Sequence, residues 1–217
     1  MQKGASNLLR IVGGKWRSRR IRFVDAEGLR PTPDRVRETL FNWLQFDIGG
    51  AVCLDAFTGS GALGFEALSR GAAAVVMLEK QRAQFQALQT AAAELQAKDA
   101  TLLQGDALQL LRQPADWQPA RGFDGVFLDP PFHHSLLPEI CAVLHERKLL
   151  AADAFVYLES ESAWDDLRLP AVFVLQKQTR SGMARAFLAR YQPEITPESN
   201  AELNTMCDAN TVRETMS

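Results

Sequence analysis

The sequence predicts an α/β fold, with a mixed sheet of about seven strands, helices on both faces and a small basic β-hairpin in front. Three observations carry this. Short apolar runs alternate with helix-period segments from residue 51 to residue 158. A glycine-rich turn joins the first of those runs to the first helix of the series. The last two apolar runs, 172–178 and 183–191, flank Arg180-Ser181-Gly182 and read as a closing antiparallel hairpin.

Taken in order, residues 8–12 and 20–24 are β-like runs around Gly13-Gly14, the makings of a hairpin. Pro31-Thr32-Pro33-Asp34 opens a helix that Thr32 or Asp34 can cap, with Val36, Leu40, Trp43 and Leu44 on one face. Gly49-Gly50 ends it. Strands are expected over 51–57, 72–78, 101–104, 123–128 and 154–158. Helices are expected over 62–70, 81–97, 107–111 and 135–146, with Gly71 closing the first. Residues 193–217 hold five acids, two prolines and few apolar side chains, the composition of a disordered tail. The division is thus a basic extension over 1–33, the α/β domain over 34–192 and an acidic tail over 193–217.

Composition narrows the function. The 217 residues are 47% hydrophobic and 23% charged, which excludes a disordered, collagenous or disulfide-stapled chain. No apolar run nears the ~18 residues of a membrane span, and no secretory signal is visible, so a cytoplasmic protein without membrane attachment is expected. Cys53, Cys141 and Cys207 are far apart and read as reduced thiols; no Cys/His spacing suits a metal. The net charge of −2 conceals an asymmetry, because residues 1–37 carry +7 and the remainder −9. Eight of the ten basic residues in that block are arginines, with Trp16 among them, which points to a polyanionic partner and favours nucleic acid.

Two motifs carry chemistry. In Leu54-Asp55-Ala56-Phe57-Thr58-Gly59-Ser60-Gly61-Ala62-Leu63-Gly64 the glycines satisfy G-x-G-x-x-G between a strand and a helix. Glu79 ends the next strand, placed to accept from ribose hydroxyls, and Asp106 follows the third, placed to meet an adenine amino group. A nicotinamide dinucleotide and an S-adenosyl ligand both fit so far. Asp55 separates them: a carboxylate beside the turn repels a pyrophosphate and suits the cationic S-adenosylmethionine. Phe57, Gly59, Gly61, Lys80 and Ala107 complete the expected cofactor contacts.

The second motif, Asp129-Pro130-Pro131-Phe132, follows the fourth strand. A base amine has two N–H donors and a lone pair delocalised into the ring. The Asp129 carboxylate and the Pro130 carbonyl can accept those two hydrogens and localise the lone pair, while Phe132 stacks on the base. Asp129 can also face the methyl donor and receive the released proton. Alignment and charge placement suffice for such a transfer without a metal. His133 and His134 are read as polar loop residues, and Trp117 and Trp164 as packing.

With these residues in view, the segments Leu9-Arg10-Ile11-Val12-Gly13-Gly14, Arg30 through Leu44, the Asp55–Gly64 turn with Glu66-Ala67-Leu68-Ser69-Arg70-Gly71, and Asp129-Pro130-Pro131-Phe132 together resemble the bacterial RsmD family of 16S ribosomal RNA guanine-N2 methyltransferases. The resemblance covers about residues 8–191. It implies a class I Rossmann-like methyltransferase fold with an N-terminal hairpin, S-adenosylmethionine as donor, and guanine 966 of 16S RNA in the small ribosomal subunit or its late precursor as acceptor. It makes Thr32, Arg35 and Arg37 substrate-proximal candidates beside the basic residues Arg10, Lys15, Arg17, Arg19 and Arg20. A monomer acting on RNA is expected. Thr58 stands where the family has alanine and adds a hydroxyl near the ligand. Rival readings are an amino-methyltransferase for DNA or another RNA, a nicotinamide dehydrogenase, and an RNA-binding assembly factor with a ligand-sensing pocket.

Overall fold

The computed structural model describes residues 7–24, 33–113, 115–131, 136–182 and 184–194. Contacts gather into two compact units, Met1–Trp117 and Gln118–Ser217. The sheet has seven strands in the order β5-β4-β3-β6-β7-β9-β8, and a separate two-stranded ribbon pairs β1 with β2.

In the first unit, β1 (Asn7–Arg10) and β2 (Arg20–Phe23) pair antiparallel with Leu8 opposite Arg22 and Arg10 opposite Arg20. Alternation sends Leu9, Ile21 and Phe23 inward and leaves Leu8, Arg10, Arg20 and Arg22 exposed. Helix α1 (Asp34–Trp43) follows, then β3 (Val52–Asp55), α2 (Ala62–Ser69), β4 (Ala74–Glu79), α3 (Arg82–Leu95), β5 (Ala100–Gln104) and α4 (Ala107–Arg112). Strands β3, β4 and β5 are mutually parallel. Cys53 and Leu54 of β3 and Val75 to Leu78 of β4 are buried, as suits strands covered on both faces, whereas edge strand β5 has no fully buried residue.

The hairpin is fastened to α2 by an acid inside an otherwise apolar helix. Glu66 is wholly buried, and its carboxylate accepts from Val12 N at 2.8 Å and Gly13 N at 2.7 Å. Arg37 Nη1 lies 3.3 Å and Arg70 Nε 2.8 Å from the same group. Ser69 Oγ accepts from Trp16 N at 2.9 Å and donates to Gly13 O. The approach is tight enough that a Cβ on Gly14, whose φ is +73°, would sit 1.8 Å from Ser69 O.

Helix α1 departs from expectation at its start and on its buried face. Pro33 is the cap residue and no side chain caps the helix. Asp34 occupies the first turn, where a negative charge favours the helix dipole, and pairs with Arg10 at 2.7 Å and with Arg37. Thr32 lies outside the described residues. The buried face consists of Val36, Arg37, Leu40 and Phe41, while Trp43 is half-buried.

In the second unit, β6 (Phe123–Leu128) leads to α5 (Leu136–Glu146), β7 (Leu150–Ser160), β8 (Phe173–Ser181) and β9 (Ala184–Tyr191). β6 and β7 are parallel; β7 with β9 and β8 with β9 are antiparallel, the expected closing hairpin. β7 begins four residues earlier than the apolar run suggests. Its first residue pairs with Phe123, the register then shifts, and Asp153 takes φ +61° before pairing resumes at Gly125 opposite Phe155. The Phe155 ring lies over Gly125 so closely that a Cβ there would be 2.0 Å from it. Trp164 is buried against Phe187, centroids 5.6 Å apart, in the packing role expected. Cys53 and Cys141, one in each unit, are buried thiols outside any disulfide. No described helix is long and apolar enough to cross a membrane, and no metal-capable cluster of three or more side chains occurs among the described residues.

Candidate active site

The glycine turn leaves β3 and enters α2 through Gly59 at φ +49° and Gly61 at φ +82°, conformations that side-chain-bearing residues adopt at a cost. Three side chains from outside the turn shape it. Asp55, the last residue of β3, is 2% exposed and its Oδ2 accepts from Gly64 N at 3.0 Å, supplying an acceptor to the third residue of α2. Burial pushes this carboxyl up to about 7 against the pull of the Gly64 and Phe57 N–H groups, with the charge of Glu79 adding to the rise.

Glu79, at the end of β4, accepts from Gly59 N at 3.0 Å through Oε2 and from Gln81 N at 2.6 Å through Oε1. Burial raises its affinity for a proton, and hydrogen bonds from Gln81, Gly59 and Lys80 N–H oppose that rise. Gln84, in the first turn of α3, is the third shaper: its amide donates to Gly59 O at 2.6 Å. Thr58 is buried and spends its hydroxyl on Asp55 O at 3.1 Å, so the departure from alanine serves the turn itself.

Asp106 caps α4, accepting from Gln109 N at 3.2 Å, and its other oxygen lies 3.1 Å from Lys80 Nζ. Burial works against its ionisation, but the Lys80 ammonium and the Gln109 N–H prevail and hold the carboxyl below the usual carboxylate range. Lys80 is exposed, Phe57 half-buried and Ala107 buried beside the cap. Within the first unit, Phe57, Gly59, Gly61, Glu79, Lys80, Asp106 and Ala107 therefore stand at the strand ends and the helix starts that follow them. Asp55 sits beneath the turn and shapes it. With a proton affinity near neutrality, it is a weaker argument against pyrophosphate than its sequence position suggests.

In the second unit the Asp129-Pro130 corner follows β6; Asp129 is half-buried and Pro130 buried, while Phe132, His133 and His134 lie outside the described residues. Opposite Leu128 runs Leu158 of β7, flanked by a buried pair in which Tyr157 OH donates to Glu159 Oε1 at 2.7 Å. Burial, then Glu159, then the charge of Asp129 hold the Tyr157 phenol well above its usual range. Periodicity gave no sign of this pair.

The basic residues divide. Arg10, Lys15, Arg17, Arg19, Arg20 and Arg35 are exposed. Lys15 rests over the Trp16 ring at 4.5 Å, and Arg19 donates to Glu94 O at 2.9 Å. Trp16 is buried, so it anchors the hairpin and does not stack on a base. Arg37 is a correction: its side chain is 0% exposed and engages Asp34, Glu66 and the Arg10 carbonyl, so it holds the hairpin and does not face a polyanion. A basic residue that shares a helix face with Val36 and Leu40 is the signal that would have revealed it.

Strand order, glycine turn and acidic strand ends define a class I Rossmann-like methyltransferase fold. The family model described as Conserved hypothetical protein 95 matches residues 9–190, and the chain belongs to this family, the RsmD family. Ribosomal RNA small subunit methyltransferase D of Escherichia coli strain K12 is 43% identical over 197 residues, 91% of this chain and 96% of its own. The protein of the same name from Haemophilus influenzae is 41% identical over 181 residues, 82% of this chain and 92% of its own. A solved methyltransferase structure from Escherichia coli superposes with a TM-score of 0.75 at 40% identity, covering 87% of this chain and all of that one. An RNA methyltransferase from Salinibacter ruber, solved with S-adenosyl-L-homocysteine, shares the fold with a TM-score of 0.58 at 18% identity, over 77% of this chain and 97% of its own.

Proposed function

We propose that this protein transfers a methyl group from S-adenosylmethionine to the exocyclic N2 of a guanine in 16S ribosomal RNA, within the small ribosomal subunit or its late precursor. Family likeness supports guanine 966 as the base. The observation that carries the reading is the hydrogen bond from Gly59 N to Glu79 Oε2 at 3.0 Å. A dinucleotide pyrophosphate needs the free N–H groups of such a turn. Here a carboxylate already takes one of them and places negative charge where the pyrophosphate would dock. A ligand with a sulfonium and an ammonium is favoured by the same charge. Glu79 and Asp106 retain acceptor lone pairs beyond the bonds described, enough for ribose hydroxyls and an adenine amine.

Bound at this turn, S-adenosylmethionine supplies a methyl carbon on a positively charged sulfur. The Asp129 carboxylate accepts one N–H of the guanine amine and the Pro130 carbonyl accepts the other. The nitrogen lone pair is thereby localised toward the methyl carbon. As the N–C bond forms and the S–C pair returns to sulfur, Asp129 offsets the charge on nitrogen and takes the surplus proton. Phe132 stacks on the base in this scheme.

The basic hairpin supports RNA as the polymer. Arg10 is paired with Asp34, but Lys15, Arg17, Arg20 and Arg22 lie exposed on the same hairpin, a cationic surface that a phosphate backbone would complement. The experiment is methyl transfer from tritiated S-adenosylmethionine to small subunits that lack the modification, with the methylated base identified by mass spectrometry. Label on N2 of one guanine is expected. The Asp129→Ala variant should bind S-adenosylhomocysteine normally and lose transfer by at least about a hundredfold, in keeping with the loss of a preorganised acceptor. Label on DNA alone, or full turnover by the variant, defeats the reading.

A further inference from the structure

Gln84 is 3% exposed and both ends of its amide are committed. Nε2 donates to Gly59 O at 2.6 Å, and Oε1 accepts from Val24 N at 3.0 Å. Gly59 is the residue whose N–H is held by Glu79, and Val24 directly follows the last residue of hairpin strand β2. A continuous chain of hydrogen bonds therefore runs from Glu79 through the Gly59 backbone and the Gln84 amide to the end of the RNA-facing hairpin. We propose that Gln84 is a positioning residue that couples the cofactor turn to the hairpin, so that S-adenosyl ligand and RNA each raise the other's affinity.

The physical basis is the shared carboxylate of Glu79. Ribose hydroxyls that engage its remaining lone pairs draw the carboxylate toward the ligand and weaken its hold on Gly59 N–H. Any adjustment of the Gly59 peptide moves the carbonyl to which Gln84 is bonded. Gln84 is rigidly placed in the first turn of α3 and cannot yield by rotating into solvent, so the displacement passes to Val24 N. The other attachments of the hairpin described above, to Asp34 and Arg37 on α1, to Glu66 and Ser69 on α2 and to Glu94 O on α3, do not touch the turn's backbone at Gly59. Coupling of two sites through a shared element is reciprocal, so either ligand can serve as the probe.

The inference rests on the methyltransferase reading above, and its test separates the two. The affinity of the full-length protein for small ribosomal subunits lacking the modification is measured with and without saturating S-adenosylhomocysteine. In the wild-type protein the ligand should tighten binding about fivefold or more. In Gln84→Glu, which keeps an acceptor for Val24 N and loses the donor to Gly59 O, the factor should fall toward one, whatever the subunit affinity in the absence of ligand. Gln84→Met, which offers neither partner, should behave likewise. A purely structural role would lower thermal stability while leaving the coupling factor intact. No coupling in the wild-type protein, or an undiminished factor in a folded variant, overturns the proposal. Transfer of methyl groups to the subunits by a wild-type protein without coupling would sink this inference and leave the functional reading standing.

Discussion

A carboxyl group sealed beneath a turn has a measurable pH signature. Asp55 is fully buried and its proton affinity is raised to about 7, so between about pH 4 and pH 7 the folded chain binds more protons at this site than the unfolded chain does. Stability contributed at this position is therefore greatest at low pH and declines as pH rises through that window. The Asp55→Asn variant keeps an oxygen for Gly64 N and removes the titration. Urea unfolding should show the variant gaining on the wild type from pH 5 to pH 8 by roughly 2.5 kcal/mol, at about 1.4 kcal/mol for each of the roughly two pH units between pH 5 and the raised pKa. Parallel curves for the two proteins would contradict the assignment. The residue scale also shows where sequence reading stops. Asp55 and Glu79 were legible as strand-end acids because each directly follows an apolar run, and Asp106 because it stands two residues beyond the third expected strand. That Asp55 points under the turn, and that Thr58 turns back to the Asp55 carbonyl, depends on the path of the backbone between Gly59 and Gly64, which spacing does not specify.

At the scale of elements, the hairpin and α2 stand or fall together. Glu66→Ala would leave two backbone N–H groups and the buried Arg37 guanidinium without their shared acceptor, a loss of about 3–5 kcal/mol. Gly14→Ala should produce a similar release of the hairpin by collision with the α2 carbonyl at Ser69. Limited proteolysis would read both: cleavage after the basic residues between Arg10 and Arg22 should accelerate in each variant well before the remainder of the chain is lost. Unchanged cleavage would show that the clamp does not hold the ribbon. The elements were largely legible, since strand–helix alternation, Gly71 and the closing hairpin each have local signatures. The clamp was legible only as an oddity, an acid at Glu66 within Ala-Leu-Gly-Phe-Glu-Ala-Leu-Ser, because partners more than fifty residues distant in sequence leave no periodic trace. The early start of β7 escaped for a related reason: the residues at its bulge, Ala152 and Asp153, are exposed and break the apolar pattern.

For the molecule as a whole, the uneven charge sets how binding responds to salt. With +7 in residues 1–37 on a chain of net −2, RNA affinity should fall steeply as salt is added. Each phosphate contact removed by substituting Arg17, Arg20 or Arg22 should reduce the slope of log K against log salt by about 0.7–0.9. Arg37→Ala should act differently, lowering stability by removing one of the two cations on buried Glu66 and the tie to the Arg10 carbonyl, with no such change in slope for protein that remains folded. A filter-binding series from 50 to 300 mM salt, on the order of the range over which such slopes are resolved, would distinguish these outcomes. Equal losses at every salt concentration would refute phosphate contact by the three exposed arginines.

The two buried cysteines give the protein a built-in clock. Cys53 lies in β3 of the first unit and Cys141 in α5 of the second, and burial alone holds the Cys141 thiol far from ionising. A thiolate-seeking reagent can therefore reach each sulfur only when its own surroundings come apart. With Cys207 replaced by serine to silence the remaining thiol, the two labelling rates, resolved by peptide mass, would time the opening of each half of the chain in a single tube.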